Sequence, residues 1–161
     1  IMLAYDARLQ ISSTDGERVV AIREFFRGPR QTVLESTEIV VAIEVPPPPP
    51  HQGSANLRHG GRVSLSLPIA SVAAVVRMDG EVCSEAALAL GAVAPTPIVA
   101  TESGASVVGK PLTSESLQEA GELASTACRP IDDLRASAAY RLELVKVLTR
   151  RALAQAAGRA R

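Results

Sequence analysis

The sequence predicts an α+β fold: an antiparallel sheet packed against C-terminal helices, preceded by a smaller β segment. Three observations carry this. Apolar residues alternate with period two over Leu3–Ser12 and Arg62–Leu67, and further strand-like runs reach Leu90. Two Asp-Gly pairs, Asp15-Gly16 and Asp79-Gly80, separate such runs and mark hairpin turns. After Thr113 the apolar spacing changes to three and four residues, the period of helices. Strand runs followed by helical runs point to a sheet with helices segregated on one side.

Leu3 to Ser12 alternates, with Leu3, Tyr5, Ala7, Leu9 and Ile11 on one side, and reads as a half-buried strand. A turn at Thr14–Glu17 returns the chain as a short strand over Arg18–Ala21. Ile22 to Phe26 holds the only two phenylalanines and reads as a helical turn plugging the end of a sheet, broken by Gly28-Pro29. Glu38 to Val45 is β-branched and stops at proline, a strand by propensity.

Pro46 to Pro50 has no N–H to give a sheet and is expected as an extended polyproline spacer. Its other reading, a ligand for an SH3-like groove, lacks a closely flanking basic residue. His51 to Gly61 reads as a polar, glycine-containing loop, which puts a boundary near residues 46–60. The expected division is 1–46, a linker over 47–61, a second domain over 62–157 and a tail over 158–161.

Arg62–Leu67 and Ile69–Arg77 read as strands, the second returning through the Asp79-Gly80 turn as Val82–Leu90. Ala86, Ala87 and Ala89 suit helices packed closely on one sheet face. Thr101–Val108 is expected as a short helix ended by Gly109. Thr113 is the expected N-cap of the next helix, with Glu115 in its first turn. Leu117, Ala120, Leu123 or Ala124, and Ala127 form its stripe, and Pro130 stops it. Asp132 or Asp133 and Ser137 offer caps for the last helix. Its stripe is expected at Tyr140, Leu144, Val147, Leu148 and Ala152, with Arg141, Lys146, Arg150 and Arg151 mostly elsewhere.

Composition narrows the function. The chain has 161 residues, 47% apolar, enough for a core and against global disorder. Aromatic residues are 2%, with no Trp, so no platform for stacking bases exists. The formal net charge is zero, without a broad basic field, so nucleic acid is not an expected partner. The basic end of the last helix complements its dipole; a nucleic-acid or membrane role for it is the alternative. Cys83 and Cys128 lack CxxC spacing and, with His51 and His59, assemble no metal ligand set; they read as free thiols of a reducing compartment. The longest apolar stretch is cut by Gly91, Pro95 and Pro97 and is too short to span a bilayer. A soluble, cytoplasmic protein with no membrane partner is expected.

Motifs for chemistry are absent from the sequence. No GxSxG, GxGxxG or GxxxxGK[ST] occurs. Asp132-Asp133 suits a helix cap better than a shared proton. Gly109-Lys110 near an anion competes with a plain helix end. Arg58 and His59 in their loop offer phosphate contacts or a solvated loop.

Some words are more distinctive. Ala87 to Ala100 reads ALALGAVAPTPIVA, GKPLT follows at Gly109–Thr113, and Pro130 to Arg141 reads PIDDLRASAAYR. Upstream stand AYDARLQISSTDGERVVAIREFF, GP and TVLESTEIVVAIEVP. In this order they resemble the medium, flavin-carrying subunit of the molybdenum hydroxylases, the xanthine and carbon monoxide dehydrogenase family, over Leu3 to Ala157. The resemblance implies that residues 3–46 end the second flavin subdomain and 62–157 form the whole C-terminal domain, like that of CO dehydrogenase flavoprotein. It implies FAD as cofactor, and Val40 and Arg58 as flavin contacts. It implies as partners a molybdopterin large subunit, a 2Fe-2S small subunit and an N-terminal flavin lobe missing from this chain. The glycine-rich pyrophosphate loops of the family have no counterpart here, so the chain is expected to be a fragment that does not hold FAD alone and has no catalytic residue of its own. Asn56 stands where the family commonly has an aromatic, and the five prolines are an addition. In the implied assembly, electrons released by hydroxylation at the molybdopterin subunit pass through iron–sulfur clusters to FAD and on to an acceptor such as NAD or a quinone. The alternative is a structural or interaction module that retains the C-terminal fold without cofactor.

Overall fold

A computed structural model describes residues 1–61 and 67–160. In the first unit, β1 (Arg8–Ser13) and β2 (Gly16–Ala21) are followed by α1 (Ile22–Phe25) and a small hairpin of β3 (Phe26–Gly28) and β4 (Gln31–Thr32). The chain then returns as β5 (Ile39–Glu44), completing a three-stranded antiparallel sheet in the order β2-β1-β5. The Asp15-Gly16 turn joins β1 to β2 as expected, with Gly16 at φ +139°. Ala7, Leu9, Ile11, Ile22 and Phe25 form a small core, so the helical turn does plug the sheet through Phe25. A bulge between Gln10 and Ile11 shifts the β1–β5 register.

The expected strand over Leu3–Ser12 begins only at Arg8. Residues 2–6 turn instead, with the Ala4 and Ala7 N–H groups donating to the carbonyls of Ile1 and Met2 at 2.9 and 3.1 Å. The reason is tertiary: Leu3 and Ala4 find apolar cover on the second unit, against Ala73, Ala89 and Val75. Tyr5 donates its hydroxyl to Ser54 Oγ at 2.7 Å, and the turn thereby ties the two units together.

The second unit contains β6 (Gln52–Gly60), β7 (Pro68–Asp79), β8 (Val82–Gly91) and β9 (Ile98–Val99), a four-stranded antiparallel sheet in sequential order. Helices α2 (Thr101–Val107), α3 (Ser114–Thr126) and α4 (Ala138–Arg159) cover one face. The expectation of an antiparallel sheet under C-terminal helices is met. The polar loop expected over His51–Gly61 is instead the nine-residue strand β6, paired with β7 from Gln52↔Arg77 to Gly60↔Pro68. Its few apolar residues hide it. Gly53, Ala55 and Leu57 are enough to face the helices, because α4 lies so close that a Cβ at Gly53 would stand 2.0 Å from the Ala156 carbonyl oxygen. Most of the strand expected over Arg62–Leu67, residues 62–66, lies outside the described residues.

Register sorts the alanines of β8. Ala86 shares the helix face with Leu88 and Leu90, and Gly104 of α2 approaches its carbonyl closely, whereas Ala87 and Ala89 lie on the opposite face. Thr113 caps α3 as expected, its hydroxyl accepting from Ser116 N at 3.3 Å. Of the expected α3 stripe, Ala120 and Ala124 are buried and Ala127 is exposed, beyond the last turn. Ser137 caps α4, accepting from Tyr140 N.

The expected stripe of α4 is met at Leu148 and Ala152, with Leu144 packed against the core, and is missed at Tyr140. Arg141, Val145, Leu148, Thr149, Ala152, Leu153 and Ala156 are buried, while Tyr140 is exposed. Arg141, expected off the core face, leads the buried stripe at 3% exposure. No helix among the described residues is long and apolar enough to cross a membrane.

Candidate functional site

The face of the second sheet opposite the helices is set by strand alternation. β6 contributes Gln52, Ser54, Asn56 and Arg58 to it, opposite Arg77, Val75, Ala73 and Ser71 of β7; Glu85, Ala87, Ala89 and Gly91 of β8 continue the rows. At one end Arg77 and Glu85 form an ion pair at 3.0 Å. The N-terminal turn covers the middle. The other end is low: Ser71 carries a small side chain and Gly91 none, and a Cβ at Gly91 would stand 2.6 Å from Ser71 Oγ.

Arg58 stands over that end on the edge strand β6, exposed, without a hydrogen-bond or ion-pair partner among the described residues. A free guanidinium over a flat, small-residue surface fits a planar group with an anionic or carbonyl edge. His59, its neighbour, points toward the helices instead, its Nε2 3.4 Å from the Tyr140 hydroxyl. The loop expected for these two residues is therefore a strand that sends them to opposite faces.

Val40 lies on β5 opposite Ile11, just past the bulge, and is 37% exposed. β5 is an edge strand, and Ile39, Val41, Ile43 and Val45 beside it are exposed as well. Val40 and Arg58 thus lie on edge strands of different sheets, and neither lines the clefts described next. Both are chemically suited to a flavin, one as an apolar face contact and one as a donor. The described residues contain no glycine-rich phosphate cradle to complete such a site.

Two clefts stand out. One of about 230 Å³ lies between the N-terminal turn, Pro46, Pro47 and Pro49, and the Val75–Arg77 stretch. The other, about 270 Å³, is lined by Pro29, Ala92, Ala94, Pro95, Arg129, Pro130, Ile131, Asp133, Arg135 and Arg141. Arg141 builds its inner wall. Its Nη1 donates to the carbonyls of Ile69 at 2.6 Å and Ala92 at 3.1 Å, and its Nη2 to Asp133 Oδ1 at 2.7 Å. It joins the start of β7, the exit of β8 and the loop before α4. The N–H of Arg135, then that of Ala136 and the Arg141 guanidinium, hold the Asp133 carboxyl below its usual range. Asp132 Oδ1 accepts from Ala138 N at 2.6 Å, so each aspartate serves the backbone and they share no proton. Sequence reasoning misses the Arg141 anchor because arginine is ordinarily exposed. Its spacing to Val145, Leu148 and Ala152 is the signal that marks it.

No group of three or more His, Cys, Asp and Glu suited to a metal occurs among the described residues. Cys83 and Cys128 are buried and free. Burial pushes both thiols up, Cys128 to about 11, which makes them poor nucleophiles.

Comparison with known proteins matches both units in order. Residues 1–48 match the FAD binding domain in molybdopterin dehydrogenase, and residues 55–156 match the CO dehydrogenase flavoprotein C-terminal domain. The xanthine dehydrogenase FAD-binding subunit of Escherichia coli O157:H7 is 36% identical over 155 residues, 96% of this chain and 53% of that protein. The carbon monoxide dehydrogenase medium chain of Afipia carboxidovorans is 33% identical over 161 residues, 100% of this chain and 56% of that one. The chain therefore spans about half the length of these relatives. Reconstituted CO dehydrogenase from Oligotropha carboxidovorans superposes with a TM-score of 0.93 at 33% identity, covering 98% of this chain and 55% of the other. Quinoline 2-oxidoreductase from Pseudomonas putida 86 gives 0.90 at 31% identity, covering 98% and 54%.

Proposed function

This chain belongs to the FAD-binding medium subunits of the molybdenum hydroxylase family, and from that premise we propose that it forms the scaffold half of a flavin-carrying electron-transfer subunit. It backs the flavin and holds it against neighbouring subunits of a molybdopterin-dependent dehydrogenase. Electrons reach the flavin from iron–sulfur clusters of a small subunit and leave for an acceptor. FAD, when bound, supplies the redox chemistry, and this chain supplies contacts and orientation.

The observation that most supports this reading is the continuity of the likeness across both units, with the same strand and helix order. Two features of the surface agree with it. Exposed apolar residues along β5 leave an edge strand that soluble proteins ordinarily cover, and a flavin lobe is the natural cover. Arg58 keeps its donors free above the flat end of the second sheet. We assign Val40 to the flavin face and Arg58 to an electron-rich edge of the ring, with the change from first to second unit in the proline run.

Complementation tests the proposal. The chain is mixed with the part of the Escherichia coli relative that its match does not cover, supplied with FAD and desalted. The expected result is no flavin absorption for the chain alone and a retained band for the pair. Arg58→Ala should weaken retention about 10- to 100-fold, the loss of one charge-assisted hydrogen bond. A flavin band held by the chain alone would refute the scaffold reading. No band from the pair would favour the cofactor-free structural module.

A further inference from the structure

We infer that the two units are joined as a hinge, with Pro46–Pro50 as its stiff arm and the turn over residues 2–6 as a latch, whose release lets the first unit swing and changes the separation of Val40 from Arg58. The units keep separate cores. Ala7, Leu9, Ile11, Ile22 and Phe25 fill one, and the helix-covered face of the second sheet supplies the other. Between them lies a contact built of small groups: Ala4 clusters with Ala73 and Ala89, with Leu3 and Val75 packed against them. Between described residues, the bond from the Tyr5 hydroxyl to Ser54 Oγ, at 2.7 Å, is the one hydrogen bond that crosses from residues 1–45 to residues 52–160, and no ion pair crosses. Toward the two ends of the second sheet the units leave clefts of about 230 and about 270 Å³ unfilled. Relative motion is the default across so small a contact between domains.

The arm suits the motion. Pro46, Pro47 and Pro48 are exposed, so neither core depends on them. Ring-locked φ angles keep a polyproline run straight, at about 3.1 Å per residue, and push bending to its ends. His51, at the far end, has φ +59°, a left-handed backbone that few residues other than glycine take, and its carbonyl accepts from Met78 N at 3.0 Å. A change of dihedral at this residue turns the whole first unit about the start of β6 while both sheets stay intact. The latch sets the balance. One neutral hydrogen bond and a few contacts between small side chains are a modest free energy, so the closed and open forms lie close enough to interconvert. Val40 belongs to the first unit and Arg58 to the second, so opening loosens anything held between them. That consequence rests on the proposed flavin contacts, whereas the hinge itself does not.

Double electron–electron resonance on the full chain tests the hinge, with spin labels on Glu17→Cys and Gln118→Cys, exposed positions in the first and second units. Cys83 and Cys128 are buried and stay unlabelled in the native chain. Tyr5→Phe and Ser54→Ala each remove the crossing hydrogen bond and should raise the ratio of open to closed distances about 2- to 10-fold. Ala89→Glu puts a carboxylate against Ala4 and should make the open distance dominant. Ala89 lies on the face away from the helices, so the amides of β7 and β8 should stay protected from hydrogen exchange in that variant. In the complementation pair, Tyr5→Phe and Ser54→Ala should speed flavin loss by about the factor by which they raise the open ratio. A single, wild-type distance in all three variants would overturn the hinge. So would protection of β7 and β8 lost in step with the distance change in every variant, which would mean unfolding and not swinging. Changed distances with unchanged flavin loss would overturn the tie to the flavin site. No flavin retained by the wild-type pair counts against the proposed function alone, since the distances are read without flavin.

Discussion

Replacing Arg141 with methionine keeps most of the aliphatic volume and removes the guanidinium, so little of its cost comes from a cavity. Arg141 is 3% exposed and donates to two main-chain carbonyls and one carboxylate. Asp133 would not be stranded, because it keeps the N–H groups of Arg135 and Ala136. The carbonyls of Ile69 and Ala92 would lose this donor, at roughly 1–3 kcal/mol each for any left buried and unpaired. Together with the lost ion pair, a penalty of about 3–5 kcal/mol follows, typical for removal of one partner from a buried charged network. At roughly 2–4 °C per kcal/mol for a chain of this size, the melting temperature should fall by about 6–20 °C. Circular-dichroism melts and urea titrations of wild type, Arg141→Met and Arg141→Lys measure this. Lysine keeps the charge without the fork and should fall between the other two. An Arg141→Met variant within about 1 kcal/mol of wild type would refute the anchor role, since it would mean the three acceptors are satisfied as well without the arginine.

Gly53→Ala sets a Cβ 2.0 Å from the Ala156 oxygen and 2.6 Å from Ala160 N, both backbone, so α4 must shift; urea unfolding should show a loss of about 1–3 kcal/mol or more. Glu38 is depressed to about 2 by its bond with Arg18 and then by the Glu35 N–H. Its contribution to stability is therefore complete above its unfolded value, near 4.5, and is lost as pH falls toward about 2. Thermal melts across that window should decline more steeply for wild type than for Arg18→Gln. With both cysteines buried and the Cys128 thiol pushed up to about 11, a disulfide reagent at neutral pH should label the native chain slowly and both thiols rapidly in guanidinium.

Features governed by neighbours along the chain are legible in the sequence by itself. Both Asp-Gly turns, the Thr113 and Ser137 caps and the alternation of Ala7, Leu9 and Ile11 appear where expected, and the helix expected over Thr101–Val108 ends one residue earlier, at Val107. Each rests on a local cost: a positive φ at Gly16 or Gly80, an unsatisfied N–H in a first turn, or one face of one strand. The order of distinctive words from Ala89 to Arg141 is equally legible, and it marks the family.

Residues whose state depends on a distant partner are not. Gln52–Gly60 looks like a loop until α4 is laid across Gly53, because a strand with so little apolar surface is made by its neighbours. Leu3 and Ala4 leave the first sheet for the second because only the assembled fold offers Ala73 and Ala89 to them. Arg141 is buried because two strand ends and Asp133 converge on it, a coincidence of four chain segments. The face taken by Arg58, and its freedom from any acidic partner among the described residues, likewise follow from strand register. Local free energies are encoded residue by residue, whereas burial of a charge or the making of a polar strand is decided by groups far apart in the chain, brought together only when the helices settle on the sheet.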